Sequence, residues 1–189
     1  MSIFGIVKTV LAGDYATGKT TLRKSFMGIS LDKGYLSTLG VNFTTYKHVD
    51  EDMTITFQIW DLGGQPNYKK VRERYYVGAE GCLLVFDKSR KETFDHLTLW
   101  LSEIEENITK PIIVIIIGNK EDLLSSEENK TIDKMVIEFI KDYRSEYFKR
   151  SILLSEYFST CAIKGINVKK AFLFLGREII KKKSKEMLI

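Results

Sequence analysis

The stretch Gly13-Asp14-Tyr15-Ala16-Thr17-Gly18-Lys19-Thr20 follows a rule of spacing: one glycine, four residues, then Gly-Lys and a hydroxyl amino acid. The rule has a chemical reason. Successive backbone N–H groups can curl around phosphate oxygens only where glycines leave room for close approach. Lys19 then offers a point charge to β- and γ-phosphates, and the Thr20 hydroxyl can ligate Mg²⁺. A helix opening at this point aims its N-terminal dipole at the same anion. The flanks agree with this reading. Ile3 to Leu11 is an apolar, β-branched run and Thr21 onward reads as helix, so the loop joins a strand to a helix.

Outward from this loop, apolar runs alternate with segments of helical period, the pattern of a parallel sheet covered on both faces. Strand one spans Ile3–Leu11, helix one runs from Lys19 to Met27, and Ser30 to Leu39 reads as a loop. Val41–Val49 and Met53–Trp60 favour strand, and the short charged turn His48-Val49-Asp50-Glu51-Asp52 between them predicts a hairpin. Gly81 to Phe86, ending at Asp87, is a buried strand; Ile112 to Ile117 is almost pure Ile and Val, as a central parallel strand should be. Lys91 to Ile108 predicts a helix through Phe94, Leu97, Leu101 and Ile104. Ser125 and Glu128 form a capping-box pattern ahead of a helix with the apolar face Ile132, Val136, Phe139, Ile140, Tyr143 and Tyr147. Ile152–Phe158 is the sixth strand, and the last helix presents Val168, Ala171, Phe172, Leu175, Ile179 and Ile180 on one side. The expected fold is α/β: a doubly wound, mostly parallel six-stranded sheet with one antiparallel edge hairpin and five helices on its two faces. Ligand is expected at the carboxyl ends of the strands. One domain is expected over residues 1–180, followed by a basic tail, 181–189.

Length and composition set the bounds. A chain of 189 residues with two prolines can bury a full core without metal or disulfide staples. Cys82 and Cys161 lie in apolar surroundings without CxxC spacing, which predicts buried thiols in a reducing compartment. No charged n-region or cleavage site marks a secretory leader, and the longest apolar run, Pro111 to Gly118, is too short to span a bilayer. The protein is therefore expected in the cytoplasm. His48 and His96 lack ligand spacing and read as surface or boundary residues. The net charge of +4 gives no reason to expect nucleic acid.

Three more motifs fall at predicted strand ends. Trp60-Asp61-Leu62-Gly63-Gly64-Gln65 offers a carboxylate that can reach a metal ion through water and glycines that let backbone approach a terminal phosphate. In Asn119-Lys120-Glu121-Asp122 the Asp122 carboxylate can accept both N–H donors of a guanine edge, a pairing that adenine does not offer. The Lys120 stem can pack on the base plane, and Asn119 can tie this loop to the phosphate loop. Cys161-Ala162-Ile163 can present a backbone N–H to the guanine O6. Each alone is a common polar turn; all four in order, each after a strand, are not.

Together these motifs resemble the Ras superfamily of small GTPases over nearly the full chain. Gly13 to Thr20, with Thr21 behind it, looks like the family's phosphate loop, and Thr38 like its switch I threonine. Asp61 to Gln65 looks like the start of switch II, and Asn119, Lys120 and Asp122 like its guanine-specificity motif. Thr38-Leu39-Gly40-Val41-Asn42-Phe43 and the long hairpin are similar to Rab proteins, whereas Trp60 to Gln65 and Cys161 to Ile163 are similar to Arf proteins. The resemblance implies a GTP/GDP switch with Mg²⁺ as cofactor. Thr20, Thr38 and (through water) Asp61 would hold the ion, and the Thr38 and Gly64 backbone N–H groups would bond the γ-phosphate. Gln65 would position the attacking water, with Lys19 on the phosphates. It also implies protein partners: effectors, exchange factors and GTPase-activating proteins.

Several residues depart from the family's pattern. Tyr15 stands where many relatives have a small residue, where it can crowd an incoming arginine finger or cover the phosphates. Leu31 replaces an aromatic ring against the guanine, Ile163 replaces a lysine, and the segment between Asp122 and Cys161 is longer than usual. No arginine precedes Thr38 in Gly34-Tyr35-Leu36-Ser37, so unaided hydrolysis should be slow, on the order of 10⁻⁴ to 10⁻² per second. Neither Cys-a-a-X nor a glycine at Ser2 encodes a lipid; Lys181, Lys182, Lys183 and Lys185 read first as a solvated helix end, and otherwise can touch an anionic membrane at about 1 kcal/mol each. Two other functions compete: a GTP/GDP-binding scaffold with negligible hydrolysis, and an ATP-using P-loop kinase or ATPase, against which Asn119, Lys120 and Asp122 speak.

Overall fold

Ile-, Val- and Leu-rich runs build the sheet, and the computed structural model describes residues 3–31, 38, 40–146 and 151–186 of the chain. The strands are β1 (Ile3–Ala12), β2 (Val41–Val49), β3 (Met53–Leu62), β4 (Gly81–Asp87), β5 (Ile112–Asn119) and β6 (Ile152–Ser159). They form one sheet in the order β2-β3-β1-β4-β5-β6. Only the β2–β3 pair is antiparallel; β1 pairs in parallel with β3 on one side and with β4 on the other. Strand order therefore reverses at β1, and the crevice of a doubly wound sheet opens at its carboxyl end, where Gly13 begins.

The helices are α1 (Lys19–Phe26), α2 (Lys69–Tyr76), α3 (Lys91–Asp95), α4 (Leu97–Asn107), α5 (Ser126–Glu146) and α6 (Val168–Glu186). One face of the sheet (Val7, Leu11, Ile55, Phe57, Leu83, Ile115) packs under α1 and α6. The other (Val10, Ala12, Leu84, Val114, Ile116) packs under α2, α4 and α5. Each buried Leu, Ile or Phe contributes roughly 1.5–3 kcal/mol by leaving water. Ser125 caps α5 as expected, its Oγ 2.6 Å from Glu128 Oε2 and accepting from the Glu128 N–H. The apolar face predicted for α6 is buried throughout.

Four expectations change in detail. The helix expected over Lys91–Ile108 is two, α3 and α4, jointed at His96, an αR residue whose ψ of −5° falls short of the regular helical value of about −42°. Helix α2, after a short 3₁₀ turn over Pro66–Tyr68, had no hydrophobic signature to reveal it, because its buried side chains are Arg72 and Tyr76. His48 is buried, pairing with Asp50 Oδ2 at 2.9 Å inside the hairpin turn. Helix α6 runs unbroken past residue 180 to Glu186; Lys182 and Lys183 bond the Pro111 and Ile6 carbonyls, so part of the basic tail is helix docked on the sheet. Part of the extra length before Cys161 goes into α5, of 21 residues. Tyr147, Leu39 and the Gly34–Ser37 neighbourhood of Thr38 lie outside the described residues.

Candidate nucleotide and metal site

Between β1 and α1 the chain must turn through conformations that most side chains resist. Gly13 has φ +130°, and a Cβ there would lie 2.0 Å from the Val85 carbonyl oxygen; no other residue fits. Ala16 (φ 60°) and Lys120 (φ 65°) are left-handed without being glycine, and both lie in loops of this site. The loop wraps its own lysine. Lys19 Nζ donates to the Gly13 and Asp14 carbonyls, both at 2.7 Å, and is buried. Burial lowers its pKa to about 8, against the opposing pull of Asp61 and Asp14.

Three hydroxyl and carboxylate groups converge beside it. Thr20 Oγ1 lies 2.8 Å from Thr38 Oγ1 and donates to Asp61 Oδ2 at 2.7 Å. Thr38 is therefore closed onto the start of α1. Asp61 is fully buried and its Oδ1 has no hydrogen-bond partner. Burial pushes the Asp61 carboxyl up, while Thr20, Lys19 and Arg23 pull it down. An orphaned carboxylate oxygen beside two hydroxyls is the hard, all-oxygen donor set that Mg²⁺ prefers. The residues present fit the ion.

The Gly63-Gly64-Gln65 segment is pressed onto the Gly13–Thr20 loop. A Cβ on Gly64 would lie 2.4 Å from Tyr15 N and 2.5 Å from Gly13 O, so two backbones touch there, and the Gly63 N–H donates to Gly40 O at 2.7 Å. Gln65 lines the same cleft with Tyr15, Ala16, Gly18, Thr20, Thr21 and Thr38, and its Oε1 is buried without a partner. Arg72 of α2 holds this segment from behind, donating to the Gly63 and Gln65 carbonyls at 3.0 and 2.8 Å. It also forms a two-pronged pair with Glu103, at 2.8 Å on each prong.

A second cleft continues from the first, lined by Gly18, Thr21, Asn119, Lys120, Asp122, Ala162 and Ile163. Asn119 joins the loops around it: Nδ2 donates to Thr17 O at 2.9 Å, and Oδ1 accepts from Thr160 Oγ1 (3.0 Å) and the Ala162 N–H (3.1 Å). The Ala162 N–H, expected to face guanine O6, thus already has an acceptor, which a base oxygen would share. Lys120 Nζ pairs with Asp87 Oδ2 at 2.7 Å. Burial raises Asp87, but Lys120 and Ser89 outweigh it and hold the carboxyl below its usual range. Cys161, whose side chain faces Asp122, is a buried free thiol, as is Cys82.

Two residues of this neighbourhood were not anticipated. His96 Nδ1 lies 2.7 Å from Asp14 Oδ2, and Trp100 Nε1 donates to Asp14 Oδ1 at 2.7 Å, so α4 grips the phosphate loop through one carboxylate. Their spacing of four, from the joint before α4 to its first turn, was the available signal. Tyr15 is 42% exposed at the mouth of the phosphate cleft, and its carbonyl accepts from Arg90 at 2.8 Å.

A sheet reversed at β1, with the Gly13–Thr20 loop and the loops at Asp61, Asn119 and Cys161 gathered at its carboxyl edge, defines a P-loop protein of the small G-domain class. Comparison with known sequences sharpens this. The profile of the Ras family matches residues 8–181. Ras-related protein RABA4d of Arabidopsis thaliana is 36% identical over 183 residues, covering 97% of this chain and 77% of the relative. Rab11A of Lotus japonicus is 35% identical over 174 residues (92% and 72%), and RGP1 of Oryza sativa subsp. japonica 35% over 185 (97% and 76%). The chain belongs to the Ras family and is a Rab-like small GTPase.

Proposed function

We propose that this chain is a GTP/GDP switch that hydrolyses GTP slowly and works in Rab-type membrane traffic. The observation that carries the reading is Asn119, one side chain that binds the phosphate loop, Thr160 and Ala162 together around a cleft ending in Asp122. In this reading Gly13 to Thr21 cradle the phosphates, and Asn119, Lys120, Asp122 and the Cys161–Ile163 loop take the guanine. Thr20 and Thr38, with Asp61 through water, would hold Mg²⁺, which when bound neutralises phosphate charge. The Gly64 N–H and Thr38 sense the γ-phosphate, and Gln65 orients water.

Effectors would meet the ring series Phe43–Trp60–Tyr75, with centroids 4.5 and 4.9 Å apart, between the two switch segments; Phe43 is 49% exposed. No helix among the described residues is long and apolar enough to cross a membrane. We place the protein in the cytoplasm, in peripheral contact with membranes during traffic. Competition of bound fluorescent GDP by GTP and ATP tests the base: GTP displaces it and ATP does not, and Asp122→Asn weakens guanine binding. Displacement by ATP, or an Asp122→Asn protein with undiminished preference for guanine, overturns the reading.

Tyr15 at the mouth of the phosphate cleft favours a second reading, a scaffold that binds but does not hydrolyse. Single-turnover GTP hydrolysis separates the two. The switch reading expects Gln65→Leu to be about tenfold slower or more than the unaltered chain; equal rates leave only the scaffold.

A further inference from the structure

The site as described uses Lys19, Thr20, Thr38 and Asp61 but leaves Arg23 unexplained. One turn beyond Thr20 on α1, Arg23 is 6% exposed, in a position where a helix facing the core normally carries an apolar side chain. Its Nε lies 3.6 Å from Asp61 Oδ2 and has no hydrogen-bond partner. Its Nη1 donates to Thr44 Oγ1 on β2 at 2.8 Å and lies 4.0 Å from the Met27 sulfur. The carboxylate read here as a metal ligand therefore faces a fixed positive charge that the fold itself supplies.

We propose that Arg23 is a resident counter-cation of Asp61, which competes with Mg²⁺ for that carboxylate and sets the Mg²⁺ concentration at which nucleotide is retained. The inference depends on the reading of Thr20, Thr38 and Asp61 as the metal site. In a buried site Coulomb forces are poorly screened, so a guanidinium 3.6 Å from the carboxylate both neutralises it and repels a second cation. The anchor at Thr44 lets both ends of the competition coexist: the guanidinium keeps one strong hydrogen bond on β2 whether or not Asp61 turns to a metal. Two consequences follow. The site stays paired and closed when Mg²⁺ is scarce, and Mg²⁺ binds more weakly than the same oxygens would bind it without Arg23.

The test is the release rate of fluorescent GDP against free Mg²⁺, for the unaltered chain and for Arg23→Gln, Arg23→Met and Arg23→Lys. The Mg²⁺ midpoint should fall roughly tenfold or more in the two neutral variants and stay within about threefold in Arg23→Lys. Release at saturating Mg²⁺ should change little, which separates a charge effect from a loosened fold. Arg23→Gln keeps a donor for Thr44 and carries the test if Arg23→Met does not fold. An unchanged or raised midpoint in the neutral variants, or an equal fall in Arg23→Lys, overturns the proposal and leaves the metal site standing. If Mg²⁺ does not affect release from the unaltered chain, the metal-site reading fails and takes the proposal with it.

Discussion

Lys19 has given up water for two carbonyl oxygens of its own loop, and the charge it carries is conditional on pH. Its pKa, lowered to about 8 by burial, means that the free protein loses this proton above pH 8, whereas a bound phosphate favours the charged form. Binding above pH 8 must then take up a proton, and affinity for GDP falls by up to about tenfold per pH unit there. Calorimetry at pH 8.5 in two buffers of different ionisation enthalpy should register this uptake, and Lys19→Arg, which stays charged, should abolish it. Absence of uptake in the unaltered chain would contradict the conditional charge. The place of Lys19 at the strand-to-helix loop was legible from the spacing rule. Its burial against Gly13 and Asp14 was not, because that depends on how the loop closes.

Among the elements, α2 and α4 show where hydrophobic periodicity stops being informative. They meet through Arg72, Glu103, Tyr76 and Trp100: the two-pronged ion pair, the Tyr76 hydroxyl donating to Glu103 Oε1 at 3.0 Å, and Arg72 lying 4.5 Å above the Trp100 ring. A helix buried through an arginine and a tyrosine offers no apolar stripe to read. The joint at His96 escapes notice for the opposite reason: the apolar series Phe94, Leu97, Leu101 and Ile104 runs straight across it. What marks the joint is the contact of His96 with Asp14, a partner far off in sequence. Since Arg72 and Glu103 are both nearly buried, Glu103→Ala would strand a charge and should destabilise the fold by about 3 to 5 kcal/mol in urea titration. Glu103→Gln, which keeps an acceptor, should cost less. A loss below about 1 kcal/mol for the alanine variant would mean that Arg72 finds water instead.

At the scale of the whole molecule the parallel sheet was plain in the chain, because strands buried on both faces must be apolar throughout. The Ile-rich β5 is buried along its length. The edge strand β2 shows no such regularity in its burial, and it was the charged turn after it that revealed the hairpin. Four loops from different parts of the chain make the site, so ligand binding should stabilise the fold as a unit. GDP at a thousand times its dissociation constant adds about 4 kcal/mol, a rise in Tm on the order of 10 °C for a domain of this size. Equal ATP should leave Tm unchanged; a matching rise with ATP would count against guanine selection.

The contact of Gly64 with the backbone of Gly13 to Tyr15 carries a consequence for how such a chain can diverge. In the proposed switch the terminal phosphate would be read by main-chain atoms, which are the same whatever side chains flank them. Neighbouring positions such as Pro66, Asn67, Lys69 and Lys70, all exposed, are then free to drift toward new binding vocabularies without disturbing the sensor. A lineage built on this plan can change whom it addresses while keeping unaltered the signal that tells it when to speak.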